Sequence, residues 1–226
     1  MRRTTFAEGE YYHLYNRGVD KRTVFSTRGD FERFKAYLYL LNDEESTRAS
    51  NFFEGTRGKD PYENARGNPL VAIGAYCLMP NHFHLLVTPL LEHGVPRFMQ
   101  KLLTAYTMYF NERTLRSGSL FEGTYKSRHA ESDTYLKYLY AYIHLNPARF
   151  FITDWQKATE GDLHSLEHKI ATYPYSSAHE YFTSKYVITS PSHFPRHFVR
   201  AKDIRSHLNF WLRFRVGEEK PVLGET

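Results

Sequence analysis

Two histidines, His82 and His84, flank Phe83 within a run of β-forming residues. On a strand, alternate side chains point to the same side, so both imidazoles project together while Phe83 turns into the core behind them. Two imidazoles held this way can chelate one divalent ion, and the strand fixes their geometry. A His-x-His pattern also arises by chance in a chain with 12 histidines, and the plain alternative is two half-exposed strand residues. A metal site needs a third ligand from elsewhere in the chain.

The segment YLKYLYAYIHLNP, residues 135–147, can supply it. On a helix Tyr142 and Asn146 are i and i+4, stacked on one face. The amide oxygen of Asn146 is a hard ligand, and the Tyr142 phenol lies one turn away. A tyrosine beside a metal ligand is what a phosphoryl-transfer nucleophile requires, because the ion polarises the phosphate while the phenol attacks in line. With a reference pKa of ~10, a phenol needs that help at neutral pH. Tyr138 shares the face, and spacing alone does not choose between Tyr138 and Tyr142. Tyr135, Tyr138, Tyr140 and Tyr142 can equally be packing residues, and Asn146 can simply end the helix before Pro147. His144 lies roughly 200° around the helix from Tyr142 and reads as packing.

Several elements must position these groups. Residues 10–17 (EYYHLYNR) form a first strand ending at Gly18. Asp30 is expected as the N-cap of a helix carrying Phe31, Phe34, Tyr37, Leu38 and Leu41 at helical spacing. Residues 42–68 are polar, without periodicity, and read as an excursion. Residues 70–79 and 82–89 form two strands joined by Pro80-Asn81, an antiparallel hairpin. A helix runs from near Val95 past Phe110, a strand kinked at Gly123 covers 119–130, and Ser132 or Asp133 caps a helix reaching Asn146. The order β-α-β-β-α-β-α predicts an α+β, ferredoxin-like (RRM-like) antiparallel sheet with helices on one face and one added helix. Beyond Phe150 the pattern blurs, with a short helix expected over 178–182 and a basic segment containing Arg196, Arg200, Lys202 and Arg205.

Composition bounds the rest. A chain of 226 residues that is 41% hydrophobic can fill one core, with a small appendage. A net charge of +5 and a pI near 9.1 mildly favour a polyanionic partner. The single cysteine, Cys77, excludes an intrachain disulfide and a Cys-based zinc site, and it reads as a small buried residue. No stretch approaches the ~20 apolar residues that cross a bilayer, and no signal core follows Met1-Arg2-Arg3, so a soluble, cytoplasmic setting without membrane contact is expected.

The residues Leu78-Met79-Pro80-Asn81-His82-Phe83-His84-Leu85-Leu86-Val87 resemble the His-hydrophobic-His motif of the HUH endonucleases, and within them the single-tyrosine transposases of the IS200/IS605 type. Gly118-Ser119-Leu120-Phe121-Glu122 and the Tyr142-Ile143-His144-Leu145-Asn146-Pro147-Ala148 helix end resemble the REP-associated tyrosine transposases in particular. The resemblance covers residues 10 to about 150. It implies Mg²⁺ or Mn²⁺ held by His82, His84 and Asn146, with Tyr142 as nucleophile. It also implies cleavage of single-stranded DNA beside a hairpin, through a 5′-phosphotyrosine and without ATP. The excursion at 42–68 and the tail depart from the short IS200 pattern, so residues 1–150 are expected as the transposase domain and 151–226 as a C-terminal extension that binds DNA. A longer tail is common in the REP-associated group, and that resemblance implies a monomer rather than a homodimer.

Arg17, Lys21, Arg22, Lys126 and Arg128 are the basic residues nearest in sequence to the elements framing this site. Phosphate contacts from them would give affinity and salt dependence rather than sequence selection. Phe121 and Tyr125 are expected to stack on unpaired bases, and the basic tail to clamp a hairpin stem. The competing readings are a catalytically silent repeat-DNA-binding protein on the same scaffold and an RRM-like RNA binder. The intact His82, His84, Tyr142 and Asn146 set argues for the enzyme. Histidines where an RNA binder would carry exposed aromatics argue against the last reading.

Overall fold

Strand β2 (Val71–Met79) is buried along its whole length, as its unbroken apolar run requires. It turns at Pro80-Asn81 into β3 (His82–Pro89), which pairs with β1 (Tyr12–Arg17), and β1 pairs with β4 (Lys126–His129). The sheet order is β2-β3-β1-β4 with every neighbouring pair antiparallel, the expected ferredoxin-like topology. The computed structural model describes residues 5–45, 52–53, 60–152, 159–198 and 201–217, except the side chains of 160, 197, 201, 202 and 213–217.

The two crossover helices, α1 (Arg28–Leu40) and α2 (Gly94–Thr114), share one face of the sheet. There Leu14, Ile73, Leu78, Phe83, Leu85 and Val87 pack with Phe34, Phe98, Leu102 and Tyr106 in the first core. Asp30 is not the N-cap of α1. Thr27 takes that position, and the buried Asp30 carboxylate reaches back to accept from Ser26 N and Thr27 N while Arg113 pairs with it at 2.9 Å. A carboxylate three residues into a helix satisfies donors that an N-cap hydroxyl cannot reach.

The opposite face is also covered. Helix α3 (Asp133–Leu145), capped by Ser132, lies against β2 and β3. The described part of the extension, α4 (Glu160–Ala171), α5 (Ala178–Thr183) and α6 (Ala201–Gly217), joins it in a second core with Cys77, Met79, Leu86, Tyr140, Tyr181 and Phe198. The chain at Tyr175–Ser177 runs along the outer edge of β2, with Leu78 N donating to Tyr175 O and Ser177 N to Tyr76 O. An open strand edge is thereby paired. Buried Glu180 fixes the segment further by accepting from the backbone N–H groups of Val187, Ile188 and Thr189. Gly74, at the irregularity of β2, leaves the space that the Phe194 ring fills.

The stretch 119–130 forms a strand only over Lys126–His129. Phe121 makes a single bridge to Gly18, between the positive-φ glycines Gly118 and Gly123 that interrupt the ladder. Of the polar excursion, Asn42 is tied to Val71 by two hydrogen bonds, and Asp60 caps a short turn at Pro61–Glu63. Residues 46–51 and 54–59 lie outside the described residues.

Candidate active site

Strand alternation sends Phe83, Leu85 and Val87 to the first core and places His82 and His84 on the opposite face. In the ladder Tyr15 lies opposite His84 and Arg17 opposite His82. Helix α3 crosses this face and brings Tyr142 over it. The Tyr142 ring meets His84 edge to face with centroids 5.3 Å apart, and His13 of β1 at 6.2 Å. The His82 and His84 rings are 5.0 Å apart, nearly perpendicular. Tyr138 stacks on Tyr142 at 6.0 Å but turns towards Trp211 of α6, so Tyr142 rather than Tyr138 reaches the histidines.

The Nδ1 atoms of both histidines are engaged. His82 Nδ1–H donates to Asn81 Oδ1 at 2.6 Å, an amide oxygen that can only accept, which leaves a lone pair on His82 Nε2. His84 Nδ1 is 2.9 Å from His13 Nε2, and both rings are buried. Burial lowers His82 to about 4; the neighbouring Asn146 opposes the shift, and the Arg149 and Arg17 cations add to it. Burial, with His13, His82 and Arg149, holds His84 well below the usual histidine range. Both imidazoles are therefore neutral at pH 7, the state that binds metal.

Asn146 sits one turn beyond Tyr142, buried, beside His82. Its Oδ1 makes no hydrogen bond of normal geometry among the described residues. A buried amide oxygen facing His82, next to two neutral imidazoles, fits a divalent ion that accepts nitrogen and oxygen donors, Mn²⁺ or Mg²⁺. No cluster of three His, Cys, Asp or Glu side chains is gathered for a metal among the described residues, and the Asn146 amide oxygen is a further donor beside the histidines.

The other expected contacts divide. Lys126 and Arg128 of β4 lie opposite Tyr15 and His13, hence on the histidine face. Arg17 pairs with Glu122 at 3.2 Å, and Lys21 is exposed in the following turn. Arg22 bonds Val19 O and Asp20. Phe121 is a correction: it is 4% exposed in the first core, against Phe83 and Tyr106, and offers no face to a base. Tyr125 is half-buried against the same core. In the tail Arg205 covers the Phe182 ring at 5.1 Å, whereas Arg200 and the Lys202 side chain lie outside the described residues. His144 packs as expected, buried between Tyr140 O and Ser177 Oγ.

Two residues were not anticipated. His13 touches His84 from 71 positions away, and only the alternation of EYYHLYNR, which puts His13 and Tyr15 on one face, hints at it. Arg149, exposed three residues beyond Asn146, acts electrostatically on both His82 and His84.

No curated protein matches the chain. A solved structure of a REP-associated tyrosine transposase bound to a REP hairpin is similar at 11% identity and a TM-score of 0.49, over 84% of this chain and 90% of that one. At that level the likeness says nothing of ligand or activity. The family model described as "Transposase IS200 like" matches residues 61–146, the segment that contains His82, His84, Tyr142 and Asn146.

Proposed function

We propose that the protein is a metal-dependent endonuclease and strand transferase that acts on single-stranded DNA beside a hairpin, with Tyr142 as the nucleophile. The observation that carries this reading is the Tyr142 ring against His84, with Asn146 one turn further on at the C-cap of the same helix. His82 Nε2, His84 Nε2 and Asn146 Oδ1 would hold the ion. When bound, Mg²⁺ or Mn²⁺ supplies charge stabilisation at the scissile phosphate and orients it.

Tyr142 Oη attacks phosphorus. The bond from phosphorus to the 3′ oxygen breaks, the phenol proton is given up, and the departing 3′ oxygen gains one. A 5′-phosphotyrosine and a free 3′-OH result. The ester keeps the energy of the original phosphodiester, so attack by another 3′-OH rejoins strands and releases Tyr142 without a nucleotide cofactor. Lys126, Arg128 and the exposed Arg149 would hold flanking phosphates by charge. The hairpin is what the family resemblance adds.

The test is incubation with a single-stranded hairpin DNA and Mn²⁺, followed by a denaturing gel. A covalent adduct that persists in Tyr138→Phe and vanishes in Tyr142→Phe is expected. An adduct formed by Tyr142→Phe would overturn the nucleophile, and DNA binding with no adduct under either metal would favour a catalytically silent repeat-binding protein.

A further inference from the structure

His13 lies outside the proposed ligand set, yet it is buried against the centre of the site. Its ring packs against Tyr15 with centroids 4.7 Å apart and meets the His84 ring at its nitrogen edge with centroids 5.0 Å apart, each pair inclined by 27°. The Tyr15 neighbour comes from its own strand, and His84 from the adjacent strand β3. His13 Nε2 lies 2.9 Å from His84 Nδ1.

A hydrogen bond between two neutral imidazoles needs one N–H and one lone pair. If His84 carried its proton on Nε2, its Nδ1 could only accept, and the Nε2 lone pair would be lost to a metal. If Nδ1 carries the proton, it donates to His13 Nε2, and His84 Nε2 is free to coordinate. Hydrogen-bonded neighbours of this kind orient metal-ligating histidines generally and fix their tautomer. His82 has its own device, the Asn81 amide oxygen, which accepts from His82 Nδ1. The two histidines of the motif are thus oriented by different residues, one adjacent in sequence and one distant.

We infer that His13 is a positioning residue, which accepts the His84 Nδ1–H bond and so presents His84 Nε2 to the divalent ion. This rests on the metal site proposed above. A merely structural role would be served by any side chain that fills the same volume. The positioning role requires an acceptor at that point. Gln can place its amide oxygen near the position of His13 Nε2, whereas Leu fills the space with no acceptor.

The experiment uses the full chain as wild type, His13→Gln, His13→Leu and His82→Ala. Thermal melts establish that each variant folds, and ¹⁵N NMR of the metal-free protein reads the His84 tautomer. Mn²⁺ affinity is measured by titration with electron paramagnetic resonance detection, without DNA. Wild type and His13→Gln are expected to hold the proton on His84 Nδ1 and to bind Mn²⁺ within a few-fold of each other. His13→Leu is expected to show mixed His84 tautomers and to bind Mn²⁺ about 10- to 100-fold more weakly. The inference is overturned if His13→Leu keeps both the tautomer and the affinity while His82→Ala loses Mn²⁺ binding. If His82→Ala binds Mn²⁺ like wild type, the ligand set itself fails, and the role of His13 fails with it.

Discussion

The Tyr142 phenol ring stands edge-on to the His84 imidazole at 5.3 Å, joining the last turns of α3 to the middle of the sheet. The contact is made by the ring, so it survives removal of the hydroxyl. Tyr142→Phe is expected to keep its Mn²⁺ affinity within a few-fold and its stability within about 1.5 kcal/mol, the net scale of one hydrogen bond. Titration calorimetry and denaturant unfolding check both. A loss of Mn²⁺ binding would mean that the hydroxyl itself is a ligand.

Asn146 invites a substitution that separates stability from function. Its buried Oδ1 has no hydrogen bond of normal geometry to lose, and desolvating an unsatisfied amide is unfavourable. Asn146→Leu, similar in volume, is expected to fold with an unchanged or higher melting temperature. The same variant should bind Mn²⁺ at least about 10-fold more weakly and lose adduct formation. A lower melting temperature with intact Mn²⁺ binding would make Asn146 a structural residue.

Phe121 and Arg128 are expected to give opposite signatures. Phe121→Ala empties a core site between Phe83 and Tyr106 and should cost about 3–5 kcal/mol of stability. Arg128→Ala, on the exposed edge of β4, should leave stability within about 0.5 kcal/mol. If Arg128 contacts a phosphate, the same change reduces the slope of log K against log salt by about 0.7 for single-stranded DNA. Binding curves at several salt concentrations decide, and an unchanged slope would remove Arg128 from the interface.

Acid should destabilise the fold through its buried histidines. Burial holds His144 at about 3, with the Tyr140 carbonyl opposing the shift and His207 adding to it. In the unfolded chain the ordinary value is ~6.5, so between the two values the unfolded state binds one more proton. The stabilisation is complete above ~6.5 and is lost as the pH falls towards 3, at about 1.4 kcal/mol per pH unit. Urea unfolding of wild type and His144→Asn between pH 7 and 4.5 should show a slope smaller by one proton in the variant. Equal slopes would contradict a neutral His144.

The sequence by itself determined which residues share a local face. Strand alternation separated Phe83 from the two histidines, and the i, i+4 spacing put Asn146 one turn beyond Tyr142. Those relations follow from backbone geometry within one element, so a few adjacent residues suffice to read them. The hairpin at Pro80-Asn81 and the ferredoxin-like order were legible for the same reason. Tertiary structure decided the rest. Tyr142 and not Tyr138 meets His84, because that depends on where along its length α3 crosses the sheet. His13 reaches His84 through the register of β1 on β3, which no local pattern encodes. Phe121 lies inside because Gly118 and Gly123 break the strand that alternation would have continued. The tail closes the second sheet face because Tyr175–Ser177 finds the free edge of β2 and Glu180 holds it there, contacts spanning about a hundred residues that local periodicity cannot foresee.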